Sequence, residues 1–335
     1  MNIAVCRPQV PFSRGGAEIF TDELVRQLRE RGHEADIVSV PFKWYPGQRV
    51  LTQAFLWRLL DLTEADGRRI DLVVATKFPS YCVRHPNKVV WLLHQFRQAY
   101  ELDRTDLGQF SESAEDRALR RKVLELDRTT LGEARKIFTT SSIVAGRLQD
   151  SVGLDAEVLA PPPAQLDFHC AEYGDFVLSV NRLDRAKRID LLIEAAARVP
   201  GLRVVIAGDG PDRERLERMA NGGVEFVGRV SDEELAELYA RCRAVYYAPV
   251  NEDYGLVPYE AFLSDKPVIT TTDAGGPLDI VHDGETGRVV APRVEERARA
   301  LTFGEDEART LGRAGHEIAR TVTWSRCAER LLEFV

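Results

Sequence analysis

Residues 2–28 read NIAVCRPQVPFSRGGAEIFTDELVRQL. The run Asn2-Ile3-Ala4-Val5-Cys6 predicts a first strand. Gly15-Gly16 then opens a helix in which Ile19, Phe20, Leu24 and Leu28 recur at helical spacing. Strand, glycine turn and helix form the opening unit of a doubly wound α/β sheet. The alternation continues through strands at Ala35–Val40, Asp71–Ala75 and Lys88–Leu93, a long charged helix over Ser113–Ala134, and a strand at Lys136–Thr139. Apolar strands between amphipathic helices predict a parallel sheet covered on both faces.

The alternation breaks at Leu159-Ala160-Pro161-Pro162-Pro163-Ala164, where three prolines continue neither a helix nor a central strand. It restarts with strands at Asp175–Val180, Leu202–Ala207, Val224–Val227, Ala244–Tyr247 and Pro267–Thr270. One intervening helix opens on the capping box Ser231-Asp232-Glu233-Glu234. The chain therefore reads as two Rossmann-like domains, 1–163 and 164–318, with 319–335 a closing helix that crosses back to the first. Ligands of such folds bind at the carboxyl ends of the strands, and two domains facing one another would enclose a cleft.

Length agrees, since 335 residues suit two domains of roughly 150 each. With 44% hydrophobic and 29% charged residues, collagen-like and disordered classes are excluded. A net charge of −8 argues against a duplex-binding protein, so no nucleic-acid partner is expected. Five scattered cysteines without a C-x-x-C argue against a disulfide framework or a zinc ribbon. The apolar run at the N-terminus is too short for a signal peptide, and the expected location is the cytoplasm.

Several chemistries are excluded by spacing. None of the seven lysines follows a glycine, so there is no Walker A loop. Gly208-Asp209-Gly210 begins like a dinucleotide fingerprint but meets Arg213 at the third glycine position. There is no G-x-S-x-G, no H-E-x-x-H and no Asp-x-Asp. The expected chemistry needs no metal and no cofactor.

The most informative motif is Asn251-Glu252-Asp253-Tyr254-Gly255-Leu256-Val257-Pro258-Tyr259-Glu260-Ala261. It lies at the carboxyl end of the strand Ala244–Tyr247. Gly255 permits close backbone approach, and the N–H groups of the helix that follows offer an anion site. Glu252 and Glu260 are eight positions apart, at most ~12 Å along a helix. That separation suits two hydrogen-bond acceptors gripping one long ligand, a hexose at one end and a ribose at the other. After the strand ending at Val180, Arg182 and Lys187 supply positive charge for a diphosphate without a metal. Gly15-Gly16 offers a second helix N-terminus in the first domain.

The Glu, seven residues, Glu pattern at 252–260 resembles the donor motif of retaining GT-B glycosyltransferases of family 4, also called group 1. The resemblance covers nearly the whole chain. It includes Gly15-Gly16, His94 after an apolar strand, Arg182 with Lys187, Gly208-Asp209-Gly210-Pro211, Gly228-Arg229-Val230, Gly275-Gly276 before a helix, and Trp324. It implies a GT-B fold and transfer of a hexosyl unit from a nucleotide-diphosphate sugar, GDP-mannose or a UDP-hexose, to a hydroxyl acceptor in glycan, polysaccharide or glycolipid biosynthesis. Glu252 would contact the hexose and Glu260 the ribose, with Arg182 and Lys187 on the diphosphate. Tyr254 and the backbone at Gly255, Leu256 and Val257 would assist. Gly228 and Arg229 would meet the base, and Gly15 and Gly16 the phosphate and acceptor. His94 would orient the hexose, and the expected catalytic set is Glu252, His94, Arg182 and Lys187. Where many relatives carry a Glu after Gly275-Gly276, this chain has Pro277-Leu278-Asp279.

Each piece also has a plainer reading. Glutamates eight apart fit a solvated helix face, and Arg182 and Lys187 fit surface charges. His94 fits a loop histidine, and Gly15-Gly16 a tight turn. The segment 50–62, with Leu51, Phe55, Leu59 and Leu62 at helical spacing, fits a helix packed on its sheet better than peripheral membrane contact. An epimerase of GT-B architecture and a non-catalytic sugar-nucleotide-binding protein are the rival readings of the whole.

Overall fold

The computed structural model describes residues 1–12, 15–103, 108–163, 166–220 and 222–335. These form two compact units, one of Met1–Pro161 with Thr323–Val335 and the other of Pro162–Val322. The breaks fall a few residues from the expected 163/164 and 318/319. A break after residue 318 would cut the last turn of a helix that runs to Ala319. Ala164, the end of the expected linker, lies outside the described residues.

In the first unit the elements run β1 (Asn2–Gln9), α1 (Gly16–Glu30), β2 (Glu34–Pro41), α2 (Arg49–Leu59), a two-strand ribbon β3 (Glu64–Ala65) and β4 (Arg68–Arg69), β5 (Leu72–Lys77), β6 (Lys88–His94), α3 (Ala114–Gly132), β7 (Lys136–Thr139), α4 (Ser142–Val152) and β8 (Glu157–Val158). The main sheet is parallel throughout, in the order β2-β1-β5-β6-β7-β8. Alternate residues of β1 serve opposite faces. Ile3 and Val5 join the core that holds Phe20, Leu24 and Leu28, while Ala4 and Cys6 join the core that holds Val50, Ala54 and Trp57. Burial on both faces is why the strands read as continuous apolar runs.

In the second unit the elements are β9 (Phe176–Val180), α5 (Ile189–Ala196), β10 (Arg203–Ala207), α6 (Arg213–Met219), β11 (Val224–Gly228), α7 (Asp232–Arg241), β12 (Ala244–Tyr246), α8 (Val257–Leu263), β13 (Val268–Thr271), β14 (Gly287–Val290), α9 (Val294–Ala300) and α10 (Glu305–Ala319). Its sheet is also parallel, in the order β11-β10-β9-β12-β13-β14. Renumbered within the unit this is 3-2-1-4-5-6, the order of a dinucleotide-binding sheet, with its topological switch point between β9 and β12. The Ser231 capping box is present. Ser231 Oγ accepts from Glu234 N at 3.2 Å, and Glu234 Oε2 accepts from Ser231 N at 2.8 Å.

The chain then returns to the first unit as α11 (Trp324–Leu332). Thr323 caps it, and Trp324, Cys327, Ala328 and Leu331 are buried. Trp324 stacks on Phe20 at 6.1 Å and meets Trp91 edge-on at 6.2 Å. Aromatic packing of this kind anchors a short helix that could not persist alone.

Helix α2 packs on its sheet through Val50, Ala54 and Trp57. Of the stripe singled out in the sequence, Leu51 and Leu62 are half-buried against the same core, whereas Phe55 and Leu59 are exposed. No helix among the described residues is long and apolar enough to cross a membrane.

Candidate active site

The second unit gathers most of the expected residues at its switch point. After β9 the chain turns through Asn181–Asp184 into a single 3-10 turn, Arg185–Lys187. Asp184 caps this turn by accepting from Ala186 N and Lys187 N. The cap fixes Lys187 at the carboxyl edge of the sheet. After β12 the chain passes through Tyr247 to Glu252, which lies on a loop, because α8 starts only at Val257. The span from Glu252 to Glu260 is thus only partly helical.

Lys187 and Glu252 meet there as an ion pair. Lys187 Nζ donates to Glu252 Oε2 and lies 3.4 Å from Tyr247 Oη. Burial alone would lower the pKa of Lys187, but Tyr247 and Glu252 outweigh it and hold the ammonium above its ordinary range. Arg182 projects from the same loop with its side chain three-quarters exposed, and its Nε is 3.9 Å from Asp184 Oδ2. A cation paired at the sheet edge and another reaching into solvent suit a mobile anionic ligand.

Two glycines shape the Glu252 segment. Gly255 has φ +86°, and a Cβ there would sit 2.7 Å from Tyr247 Cε1, so the ring and the backbone exclude a side chain. Gly275 has φ +85°, and its Cβ would sit 2.5 Å from Glu252 O. Glu252 N donates to Ala274 O at 2.8 Å and Glu252 O accepts from Gly276 N at 2.9 Å. Gly275-Gly276 therefore clamps the backbone of Glu252, and the turn after it is 3-10 (Gly276–Asp279) rather than α-helical.

Glu260 is half-buried on α8, and its Oε2 accepts from Tyr239 Oη at 2.7 Å. Desolvation raises its pKa, and the Tyr239 bond only partly offsets this. Tyr254 packs on Tyr259 with ring centroids 5.0 Å apart. Leu256 precedes α8, and its carbonyl accepts from Glu260 N at 3.1 Å. Gly228 closes β11, where its carbonyl accepts from Gly208 N at 2.7 Å, and Arg229 beside it is exposed. The Gly208-Asp209-Gly210 turn is tied to the loop after β9, with Leu183 N donating to Asp209 O at 3.0 Å.

The first unit holds the other expected residues, Gly15 and Gly16 after β1 and His94 at the end of β6. Gly15 caps α1, and its N–H already donates to the α1 residue Glu18 through Oε2 at 2.9 Å. Glu18 Oε1 in turn pairs with Lys77 Nζ at 3.4 Å. In register, Lys77 lies beside His94 on the neighbouring strand. His94 ends β6, with Nδ1 2.6 Å from Gln95 O, which places the ring proton on Nδ1. Gly16 is the first residue of α1, with open space where a Cβ would stand. Sequence reasoning did not single out Tyr239, Tyr247, Glu18 or Lys77. Lys77 was findable as a charge at the carboxyl end of a strand. The tyrosines read only as core. Among the described residues no three His, Cys, Asp or Glu side chains cluster as a metal site.

Two doubly wound parallel-sheet units, the second with a nucleotide-type switch point, define a protein of GT-B fold. Residues 171–314 match the family described as glycosyl transferases group 1. The sulfoquinovosyl transferase SQD2 of Arabidopsis thaliana is 29% identical over 163 residues, which cover 46% of this chain and 32% of that protein. The chain spans about half or less of the length of this and two other curated relatives it matches. The sucrose-phosphate synthase structure from Thermosynechococcus elongatus superposes with a TM-score of 0.77 at 20% identity, covering 99% of this chain and 97% of that one. Anabaena HepE, solved with UDP-glucose, superposes with a TM-score of 0.72 at 18% identity, covering 99% and 98%.

Proposed function

We propose that the chain is a retaining hexosyltransferase that moves a hexosyl unit from a nucleotide-diphosphate sugar to a hydroxyl acceptor in glycan, polysaccharide or glycolipid biosynthesis. The observation that carries this reading is the Lys187–Glu252 pair at the switch point of a unit that matches the group 1 family. The donor is GDP-mannose or a UDP-hexose; HepE, a relative in fold, was solved with UDP-glucose.

In this reading the diphosphate takes the ammonium of Lys187 and the guanidinium of Arg182, with backbone N–H groups at Leu256 and Val257 assisting. Glu252 accepts from hexose hydroxyls, Glu260 from the ribose, and Gly228 and Arg229 flank the base. Tyr254 and Gly255 shape the turn. His94 orients the hexose, and Gly15 and Gly16 adjoin the phosphate and acceptor. The acceptor oxygen bonds to the anomeric carbon on the face from which the phosphate oxygen leaves. The acceptor proton passes to that leaving oxygen. Fixed cations stabilise the charge that develops there, so the reaction proceeds without a metal or other cofactor. The enzyme works in the cytoplasm. Helix α2 is first a helix packed on its sheet, and any peripheral lipid contact at the inner membrane face would use its outward residues Phe55, Leu56 and Leu59.

The test is product analysis with UDP-glucose and GDP-mannose against a panel of hydroxyl acceptors, with and without EDTA. Free nucleoside diphosphate plus a heavier acceptor, unaffected by EDTA, supports transfer. An isomeric donor identifies an epimerase, and an unchanged donor that still binds identifies a binding protein. Sedimentation with anionic vesicles, lost in Leu59→Glu, tests the lipid contact.

A further inference from the structure

Arg188 follows Lys187 and stands at the hinge between the 3-10 turn Arg185–Lys187 and α5. It adopts φ 50°, ψ 42°, the left-handed region that a non-glycine residue enters only at a cost. What offsets that cost is its side chain. Nε donates to Ala248 O at 2.9 Å. Nη2 donates to Pro249 O at 2.6 Å, Thr271 Oγ1 at 2.8 Å and Asp273 Oδ1 at 2.8 Å, and Nη1 donates to Asp273 Oδ2 at 2.7 Å. The Arg188 side chain is only 15% exposed and its bonds to Ala248, Pro249 and Thr271 are partly buried, while the pair with Asp273 lies at the surface.

Its partners define the course of one segment. Ala248 and Pro249 begin the stretch that ends at Glu252. Asp273 begins the stretch that clamps Glu252 from the other side, and Asn251 N donates to Asp273 O at 2.9 Å. Val250 N donates back to Ala186 O at 3.0 Å, tying the same stretch to the turn that carries Lys187. The planar fork of Arg188 thus bridges both approaches to Glu252 from a backbone position adjacent to Lys187.

We propose that Arg188, with Asp273, is a positioning residue that sets Glu252 against Lys187 for the transfer reaction. The proposal rests on the reading of Lys187 and Glu252 as the donor site. Arg188 acts on the hexose end through Glu252 and leaves nucleotide binding to the neighbouring Lys187.

The test is a double-mutant cycle of Arg188→Gly and Glu252→Gln, read by turnover and by nucleoside diphosphate binding. Glycine keeps the left-handed backbone while removing the guanidinium. Arg188→Gly should lower kcat at least tenfold, shift nucleoside diphosphate affinity less than threefold, and change kcat less than twofold when added to Glu252→Gln. Asp273→Asn, which keeps the shape of its partner, should show the same pattern more weakly, and serves if Arg188→Gly does not fold. Independent, multiplying losses from Arg188→Gly and Glu252→Gln would overturn the proposal, as would a wild-type kcat in Arg188→Gly. If the wild-type chain releases no nucleoside diphosphate, or Glu252→Gln is fully active, it is the donor-site reading that falls, and the proposal with it.

Discussion

Lys187 and Glu252, 65 positions apart, share a hydrogen-bonded ion pair at the switch point of the second sheet. Each side chain keeps about a fifth to a quarter of its exposure, so the pair is open enough to exchange partners with a ligand. A diphosphate would compete for the ammonium, and hexose hydroxyls for the carboxylate. Glu252→Gln keeps the shape of the acceptor but loses its charge, and should lower kcat about 100-fold with a smaller change in KM. Lys187→Ala should weaken nucleoside diphosphate binding, as measured by calorimetry. Because the pKa of Lys187 is raised, the stability it contributes is complete below its unfolded value and is lost only as pH rises through the folded one. Nucleotide affinity should therefore show no alkaline loss from this group at pH 7–9.

Gly255 tests the packing of the same loop. Its φ is +86°, and an added Cβ meets the Tyr247 ring at 2.7 Å. Gly255→Ala should destabilise the chain by about 1–3 kcal/mol, from backbone strain and overpacking together. Urea unfolding monitored by circular dichroism measures it. A variant as stable as wild type would mean that the Tyr247 contact is soft.

The alternation of elements was legible because strands buried on both faces stay apolar from end to end, as Leu72–Ala75 and Val89–Leu92 do. The missed strands were β3, β4 and β8, each only two residues long, and β14, an edge strand whose residues are mostly half-buried. At the site, Glu252, Arg182, Lys187 and Gly255 could be read because each sits in the loop that follows a strand's carboxyl end, two to nine residues on. Arg188 could not. Nothing local marks an arginine in a left-handed turn, and its partners lie 60 to 85 positions away. Tyr239 was hidden for the same reason, since its contact with Glu260 joins two helices.

Glu260 tests the other end of the motif. Its raised pKa means that it protonates at a higher pH than an exposed glutamate would. If it accepts from the ribose as a carboxylate, donor affinity should fall as pH drops through that raised value. Glu260→Ala should abolish this acid limb and raise donor KM more than it lowers kcat. Tyr239→Phe, which removes the donated bond, should move the acid limb to higher pH. A pH series of nucleotide binding on the three proteins decides it.

The first unit carries a pH response of its own at Asp127. This residue of α3 is fully buried, and its Oδ2 accepts from Tyr100 Oη at 2.7 Å. Burial pushes its pKa up to about 7, against the opposing pull of Tyr100, Tyr81 and Gln95. An acid whose folded pKa lies above its unfolded one binds more protons when folded. Folding is therefore favoured by protonation of this group. Its contribution declines as pH climbs from the unfolded value near 4 to the folded value near 7, and above that the charge is buried at full cost. The loss integrates to a few kcal/mol, roughly 1.4 per pKa unit. Asp127→Asn keeps an acceptor for Tyr100 and removes the titration. The wild-type chain should lose stability relative to Asp127→Asn between pH 5 and pH 8, as measured by urea midpoints at each pH. If the two proteins keep a constant difference over that range, the carboxyl does not titrate there, and the buried contact with Tyr100 is met by an ionised aspartate.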